Sequence, residues 1–184
     1  MEKKTNGMTP KARLAWPNLF EARLNDLSGK VEFSCQLLIA KDDPGLAVMK
    51  QCAAAAAEKK WGKDIPKGMR SPFRDGDDEE KGPDYEGMIF INMKSNNKPG
   101  VVDEDVNPII DPKELMMGDY VRATFNAYAY DNKGNKGVAF GLNNVQRVAR
   151  GEPMSGGIAR AEDEFGKVGE VTSEDAEALV DSMF

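Results

Sequence analysis

The sequence predicts a mainly β domain: a small antiparallel barrel or sandwich of about five strands, with one main α-helix and long loops. Three observations carry this. Stretches at 30–40, 85–94 and 120–148 alternate with the period of two that marks half-buried strands, because successive side chains point to opposite faces. Only residues 44–61 carry a long run of helical spacing. Nothing reads as βαβ repetition, and no glycine-rich loop leads from a strand into a helix, so Walker-type and dinucleotide-binding signatures are absent.

Taken in order, residues 1–11 read as a flexible basic arm carrying Lys3, Lys4 and Lys11. Residues 13–20 read as a short strand running into a turn at Pro17-Asn18. Trp16, within it, fits either a core side chain or a stacking platform. From Lys30 to Ala40, Val31, Phe33, Cys35, Leu37 and Ile39 form an inward face, and Glu32, Ser34 and Gln36 look outward. Asp43 then serves as N-cap and Pro44 as first residue of a helix over 44–61, which Gly62 ends. Its Leu46, Met49, Cys52 or Ala53, and Ala56 or Ala57 recur at helical spacing and suit a helix covering one end of the sheet. Residues 62–86 form a long polar excursion with Lys67, Arg70, Phe73 and Arg74, then an acidic run from Asp75. A loop this long inside a compact domain is usually functional or mobile. The acidic run fits a calcium loop poorly, since Lys81 and Pro83 occupy ligand positions.

A third strand is expected over 85–94, placing Phe90 and Lys94 on one face. Val101 and Val102 form a short strand, and Asp111 caps one helical turn. Tyr120 to Tyr130 alternates without a fault: Val121, Ala123, Phe125, Ala127 and Ala129 on one side, Tyr120, Arg122, Thr124, Asn126, Tyr128 and Tyr130 on the other. Turn chemistry follows over 131–137, where Gly134 and Gly137 are free to take positive φ. On the return strand the apolar set shifts from Val138, Phe140 and Leu142 to Val145. That change of face requires an extra residue, so a β-bulge is expected at Asn143-Asn144.

The 184 residues suffice for one ordinary domain, with 40 % hydrophobic and 30 % charged residues. No apolar run is long enough to span a bilayer, and no apolar stretch follows the first residues as in a secretory signal, so a cytoplasmic protein is expected. Cys35 and Cys52 lie in apolar patterns and read as buried reduced thiols. The chain has no histidine, which removes Ser-His and Cys-His catalysis and His-ligated zinc. The net charge of −6 is unevenly spread: residues 161–184 carry eight acids and one base, leaving the rest at +1. Three parts are therefore expected: the arm, a folded domain over 12–160, and an acidic tail over 161–184 without regular patterning.

The outer face of residues 120–130 sets three rings beside a cation with no aliphatic residue. Single-stranded DNA demands such a surface: aromatic rings stack on bases of any sequence, and Lys or Arg neutralise phosphates. The candidate contacts are Tyr120, Arg122, Tyr128, Tyr130, Lys133 and Lys136, with Phe90, Lys94, Arg13, Trp16, Arg70, Phe73 and Arg74. The tyrosines also suit a second small core with their hydroxyls in solvent. The acidic terminus, ending in Met183-Phe184, mimics a polyanion with an apolar tip. Its Glu177, Asp181, Met183 and Phe184 are the candidate contacts to partner proteins.

Several segments resemble those of a family of bacteriophage single-stranded DNA-binding proteins. They are residues 15–20 (Ala-Trp-Pro-Asn-Leu-Phe), 73–77 (Phe-Arg-Asp-Gly-Asp), 99–103 (Pro-Gly-Val-Val-Asp) and above all 127–146, Ala-Tyr-Ala-Tyr-Asp-Asn-Lys-Gly-Asn-Lys-Gly-Val-Ala-Phe-Gly-Leu-Asn-Asn-Val-Gln. The resemblance spans about residues 12–165. It implies an OB-fold, sequence-nonspecific binding of single-stranded DNA, and a part in phage replication, recombination and repair in the cytoplasm of the infected host. The tail is similar to that of T7-type proteins, implying contact with a polymerase, helicase or primase. No cofactor, metal, membrane contact or enzymatic activity is expected, and the sequence leaves monomer and homodimer open. The alternative reading is a magnesium-dependent nuclease or phosphoryl-transfer enzyme using Asp75, Asp77, Asp78 or Asp103. Most of these crowd one loop, whereas such a site needs carboxylates converging from several strands.

Overall fold

A computed structural model describes residues 2–78, 81–154, 161, 165, 166 and 182. Two compact units divide at 154/155, six residues before the boundary the charge pattern suggested. In the second, the Phe165 amide donates to the Ala161 carbonyl at 2.9 Å.

The first unit contains eight strands and one α-helix. They are β1 (Asn6–Met8), β2 (Ala12–Asn25), β3 (Lys30–Ala40), α1 (Gly45–Trp61), β4 (Arg74–Asp75), β5 (Met88–Ser95), β6 (Gly100–Val102), β7 (Tyr120–Asn132) and β8 (Asn135–Ala149). Five of them close a ring. β2 pairs antiparallel with β3, β3 with β5 and β7 with β8. β5 then meets β8 in parallel at Met93↔Phe140, and β7 meets β2 at Ala12↔Val121. Numbered within the barrel, the order 1-2-3-5-4-1 is that of the oligonucleotide-binding fold. The expectation of an antiparallel barrel therefore holds, with one parallel pairing.

The core lies inside this ring. Leu14, Leu37, Ile39, Ile91, Met93, Val121, Phe125, Phe140 and Val145 are among its buried residues. Phe140 stands edge-on to both Phe125 (4.9 Å) and Phe73 (5.5 Å), the arrangement aromatic quadrupoles favour. α1 packs mainly on β7, burying Leu46, Met49, Cys52 and an alanine face. It begins one residue later than expected: Pro44 is the N-cap, and Asp43 Oδ1 accepts from the Gly45 amide at 2.8 Å. Gly62 ends it with φ +62°. Both thiols are free and buried, and burial pushes Cys35 up to about 12.

The hairpin follows its pattern closely. Pairing jumps from Thr124↔Asn144 to Phe125↔Leu142, so Asn143 is the extra residue of the expected bulge. The turn is tighter than expected, two residues between Asn132 and Asn135, with Lys133 (φ +52°) and Gly134 (φ +88°) both left-handed as a type I′ turn requires. Gly137 is needed for space instead: a Cβ there would stand 2.5 Å from Tyr130 Oη and 2.9 Å from the Arg70 carbonyl oxygen.

Three elements differ from expectation. Residues 6–8, assigned to a flexible arm, form β1 on β7 (Gly7↔Phe125), because the edge of β7 offers unpaired amides and carbonyls there. β2 runs through Pro17 to Asn25, absorbing the proline in register breaks after Ala15 and Asn18. Tyr85 lies not in a strand but in a 3₁₀ turn, Pro83–Tyr85, from which its ring covers the outer face of the sheet.

Replacing Phe140 with Ala removes the ring that both other aromatics contact. A loss of about 3–5 kcal/mol is expected from the cavity it leaves, read as a fall in the urea midpoint. The same substitution at exposed Val106 is expected to change it little.

Candidate nucleic-acid interface

The outward faces of β3 and β5 make a polar strip between two aromatic ends. Register places Gln36 opposite Asn92 and Ser34 opposite Lys94. Gln36 Nε2 donates to Asn92 Oδ1 at 2.8 Å, and Asn18 Nδ2 donates to Ser34 Oγ at 3.3 Å. Alternate strand residues share a face, so the strip from Gln36 to Glu32 runs about 13 Å. At one end Trp16 is 55 % exposed. At the other, an open cleft of about 390 Å³ is lined by Lys30, Glu32, Lys94, Asn126, Tyr128 and Asn143 among others.

Tyr128 is 44 % exposed, its ring close enough that a Cβ on Gly141 would stand 3.7 Å away. Burial of its hydroxyl, then the neighbouring charge of Glu32 and the nearby Tyr130, hold its pKa above the ordinary tyrosine value. Lys94 is 43 % exposed at its side chain and stands 3.5 Å from the nearly buried Glu32 carboxylate, which also accepts from Asn25 Nδ2. The cleft thus offers a neutral ring, a cation that can swing outward, and amide and hydroxyl groups.

The hairpin end gathers four more of the expected residues. The Arg70 amide donates to the Lys136 carbonyl, and its own carbonyl accepts from Val138, tying the long loop to β8 beside the turn. Tyr130 faces Gly137 across the pair, Lys133 is exposed at the turn, and Lys136 lies 3.9 Å from Asp131.

The remaining expected residues fall elsewhere. Tyr120 and Arg122 share the outer face of β7 with Tyr128, but Arg122 and Tyr128, six residues apart, stand about 20 Å from each other. Tyr120 lies under Lys11, and Arg122 binds Gln146 and lines a separate depression with Met8, Val48 and Val148. Phe90 corrects an expectation. It is 0 % exposed, covered by Tyr85 at 5.4 Å with Arg74 and Lys81 over its ring, so no ring face is free for a base. Phe73 is a core neighbour of Phe140 rather than an exposed ring. Arg13 is a clamp: it binds Asp84 at 3.0 Å and the carbonyls of Gly118 and Glu152. Glu177, Asp181, Met183 and Phe184 lie outside the described residues.

Sequence reasoning missed Glu32, Gln36, Asn92 and Tyr85. The first three were visible as outward positions of their strands; Tyr85 had no periodic signal, because a loop places it.

The carboxylates of the nuclease alternative do not converge. Asp75 and Asp77 both bind Lys41, whose ammonium holds them below the usual carboxylate range. Asp103 is engaged by the amides of Asp105 and Asn107 in its own loop. Among the described residues no group of three or more acids or cysteines is placed to hold a metal, and no helix is long and apolar enough to cross a membrane.

A five-stranded barrel of this topology with rings and cations on one face belongs to the oligonucleotide-binding fold class. More particularly, the chain belongs to the phage family described as Enterobacter phage Enc34, ssDNA-binding protein, whose profile matches residues 5–179. It is 32 % identical over 164 residues to protein p50 of Acyrthosiphon pisum secondary endosymbiont phage 1, covering 83 % of this chain and 88 % of that one. The fold is shared with the single-stranded DNA-binding protein from bacteriophage Enc34 in complex with ssDNA (TM-score 0.71, 21 % identity, 82 % of this chain and 89 % of that one). It is also shared with gp2.5, a single-stranded DNA binding protein encoded by bacteriophage T7 (TM-score 0.54, 16 % identity, 91 % and 99 %).

The raised pKa of Tyr128 has a direct readout. For an acid, a raised value keeps the neutral form to higher pH, so the ultraviolet titration of wild type minus Tyr128→Phe is expected to rise above the ordinary tyrosine midpoint. A difference step at or below that midpoint would contradict the geometry of the Glu32–Tyr128 neighbourhood.

Proposed function

We propose that this protein coats single-stranded DNA without sequence preference, along the strip from Trp16 to Tyr128 and on toward the β7–β8 turn. The observation that carries this is the meeting of Tyr128 and Lys94, from different strands, in one open cleft. Bases stack on Tyr128, Tyr130 and Trp16, while Lys94, Lys133, Lys136, Lys30 and Arg70 face the phosphates. Tyr120 and Arg122 serve as a second contact at the far end of β7. Coating of this kind protects DNA during phage replication, recombination and repair in the cytoplasm of the infected host. The acidic segment 161–184 competes with DNA for the cations and, through Glu177, Asp181, Met183 and Phe184, recruits polymerase, helicase or primase. The protein acts as a binder and not as an enzyme.

Labelled poly-dT tests the whole reading. Binding without cleavage, weakening steeply with salt, is expected; magnesium-dependent shortening of the oligonucleotide would favour the nuclease instead. Tyr128→Ala with Tyr130→Ala is expected to weaken binding by at least about 30-fold at unchanged folding, since each of the two stacked bases contributes roughly 1–3 kcal/mol. Lys94→Ala is expected to reduce the slope of log K against log salt by about 0.7. Removing residues 170–184 is expected to tighten binding at low salt and to abolish partner contacts; equal affinity of the two forms would refute the competing tail.

A further inference from the structure

We propose that the tip of the β2–β3 hairpin, through Leu24, Leu27 and Val31, docks on the next copy of this protein along the same DNA strand. The inference rests on the coating reading above and adds the contact that joins one bound copy to another.

The hairpin outruns the barrel. β3 pairs with β5 only from Phe33 onward, whereas its pairing with β2 continues through Arg23↔Glu32, Leu24↔Val31 and Asn25↔Lys30. Past the barrel the two strands form a ribbon, and the alternation of β3 runs out with it. Cys35, Leu37 and Ile39 of the inward set are buried and Phe33 is half-buried, but Val31 of the same set is 61 % exposed. Opposite it Leu24 is 62 % exposed, and Leu27 in the turn is 100 % exposed. A single exposed apolar residue is ordinary, but three gathered on one tip mark a contact surface. The turn itself is firmly built. Asn25 Oδ1 accepts from the amides of Leu27 (3.0 Å) and Ser28 (3.4 Å), and the Asn25 carbonyl accepts from Gly29 at 2.7 Å. The three side chains are thus held on a fixed support, and little ordering is left to lose on contact.

The two faces of the ribbon look different ways. Directly paired residues share a face and their neighbours take the other. Lys30 and Glu32 accordingly look into the cleft with Tyr128 and Lys94, where Ser28 joins them. Leu24 and Val31 look away from it. Neither can bind a phosphate, so this face suits a protein rather than the DNA backbone. Its position selects the protein. A strand leaving the cleft passes the ribbon, and the surface beyond the ribbon belongs to whatever copy binds next.

Copies that hold one strand in the same direction are related by a translation with twist, not by a two-fold axis. The tip therefore meets a different surface, at the Trp16 end of the neighbouring strip. There residues 116–119 are bonded to β2 just before Trp16: the Gly118 amide donates to the Leu14 carbonyl and the Leu14 amide to the Asp119 carbonyl, both at 2.8 Å. They present Met116, 45 % exposed, whose flexible thioether adapts to the shape of a partner. Size decides when the contact forms. Three side chains cover far less than the roughly 800 Å² per partner of a stable complex. Neighbours on one strand, however, meet at an effective concentration on the order of millimolar, where so small a contact suffices.

Poly-dT and an oligothymidylate of about 8 nucleotides, within the span of one barrel, separate contact between copies from contact with DNA. Leu24→Ser with Leu27→Ser is expected to weaken binding to poly-dT about tenfold and to flatten its sigmoidal isotherm. Affinity for the short strand and the unfolding midpoint are expected to stay unchanged. Leu27→Ser alone, at a fully exposed site, serves if the double variant folds poorly. Met116→Ser is expected to show a similar loss on poly-dT only, and to add little to the tip variant, since both ends make one contact. An equal loss on the short strand would overturn the proposal by placing the tip on the bases. Undiminished cooperativity in the tip variant, or none in the wild type, would overturn it as well, as would a full additional loss from Met116→Ser. Failure of the wild type to bind either strand would instead sink the parent reading.

Discussion

Closure of the sheet is the constraint on which the rest depends. β7 and β8 pair along their whole length, and each also completes the ring, β7 by joining β2 and β8 by joining β5 in parallel. Closing the ring requires bent strands, and the extra residue at Asn143 lets β8 bend while keeping Leu142 and Val145 both inside. Once the ring is closed, the pleat divides every strand into a core side and a surface side. Phe125 and Phe140 meet inside the enclosed space, half-buried Phe73 packs on Phe140 from the long loop, and α1 packs against β7 and the core.

The surface side of the sheet is then used twice. Near β4, the long loop folds back and Tyr85, Phe90, Leu38, Ala15 and Met154 make a second small core. Beyond it the same strands carry Asn92, Lys94, Ser34 and Glu32, which stay polar. Tyr85 stands at the border between these regions, its ring on Phe90 and its hydroxyl bonded to Gln36, so the packing that covers Phe90 also shapes the end of the strip. This sharing explains why one strand face carries both a fully buried phenylalanine and a half-exposed lysine only four residues apart.

The electrostatics suit a reversible ligand. Lys94 has Glu32 as neighbour at 3.5 Å, and Lys136 has Asp131 at 3.9 Å, separations too long for tight pairing. The exposed pair at Lys136 holds its cation weakly, so a polyanion can take it over at little cost. By contrast, Arg13 and Arg147 are engaged by several partners each and serve the fold. Counting basic residues therefore overstates the number available to phosphates.

Much of the fold was legible in the residues alone. The alternation at Tyr120–Tyr130, the face change after Leu142 and the helical spacing after Pro44 each reflect local geometry: a period of two, one inserted residue, 3.6 residues per turn. The inventory of rings and cations pointed to the ligand for the same reason, since the chemistry of a side chain travels with its name. Only the tertiary structure decided which of them meet. Periodicity tells which way a side chain leaves its own strand, but not what covers that side. Hence Phe90 and Lys94, alike in pattern, part company under Tyr85, while Trp16, Lys94 and Tyr128, distant in sequence, come to border one strip because the barrel closes. Tyr120 and Arg122 share a face with Tyr128 yet lie far along it, a separation set by strand length rather than by residue type.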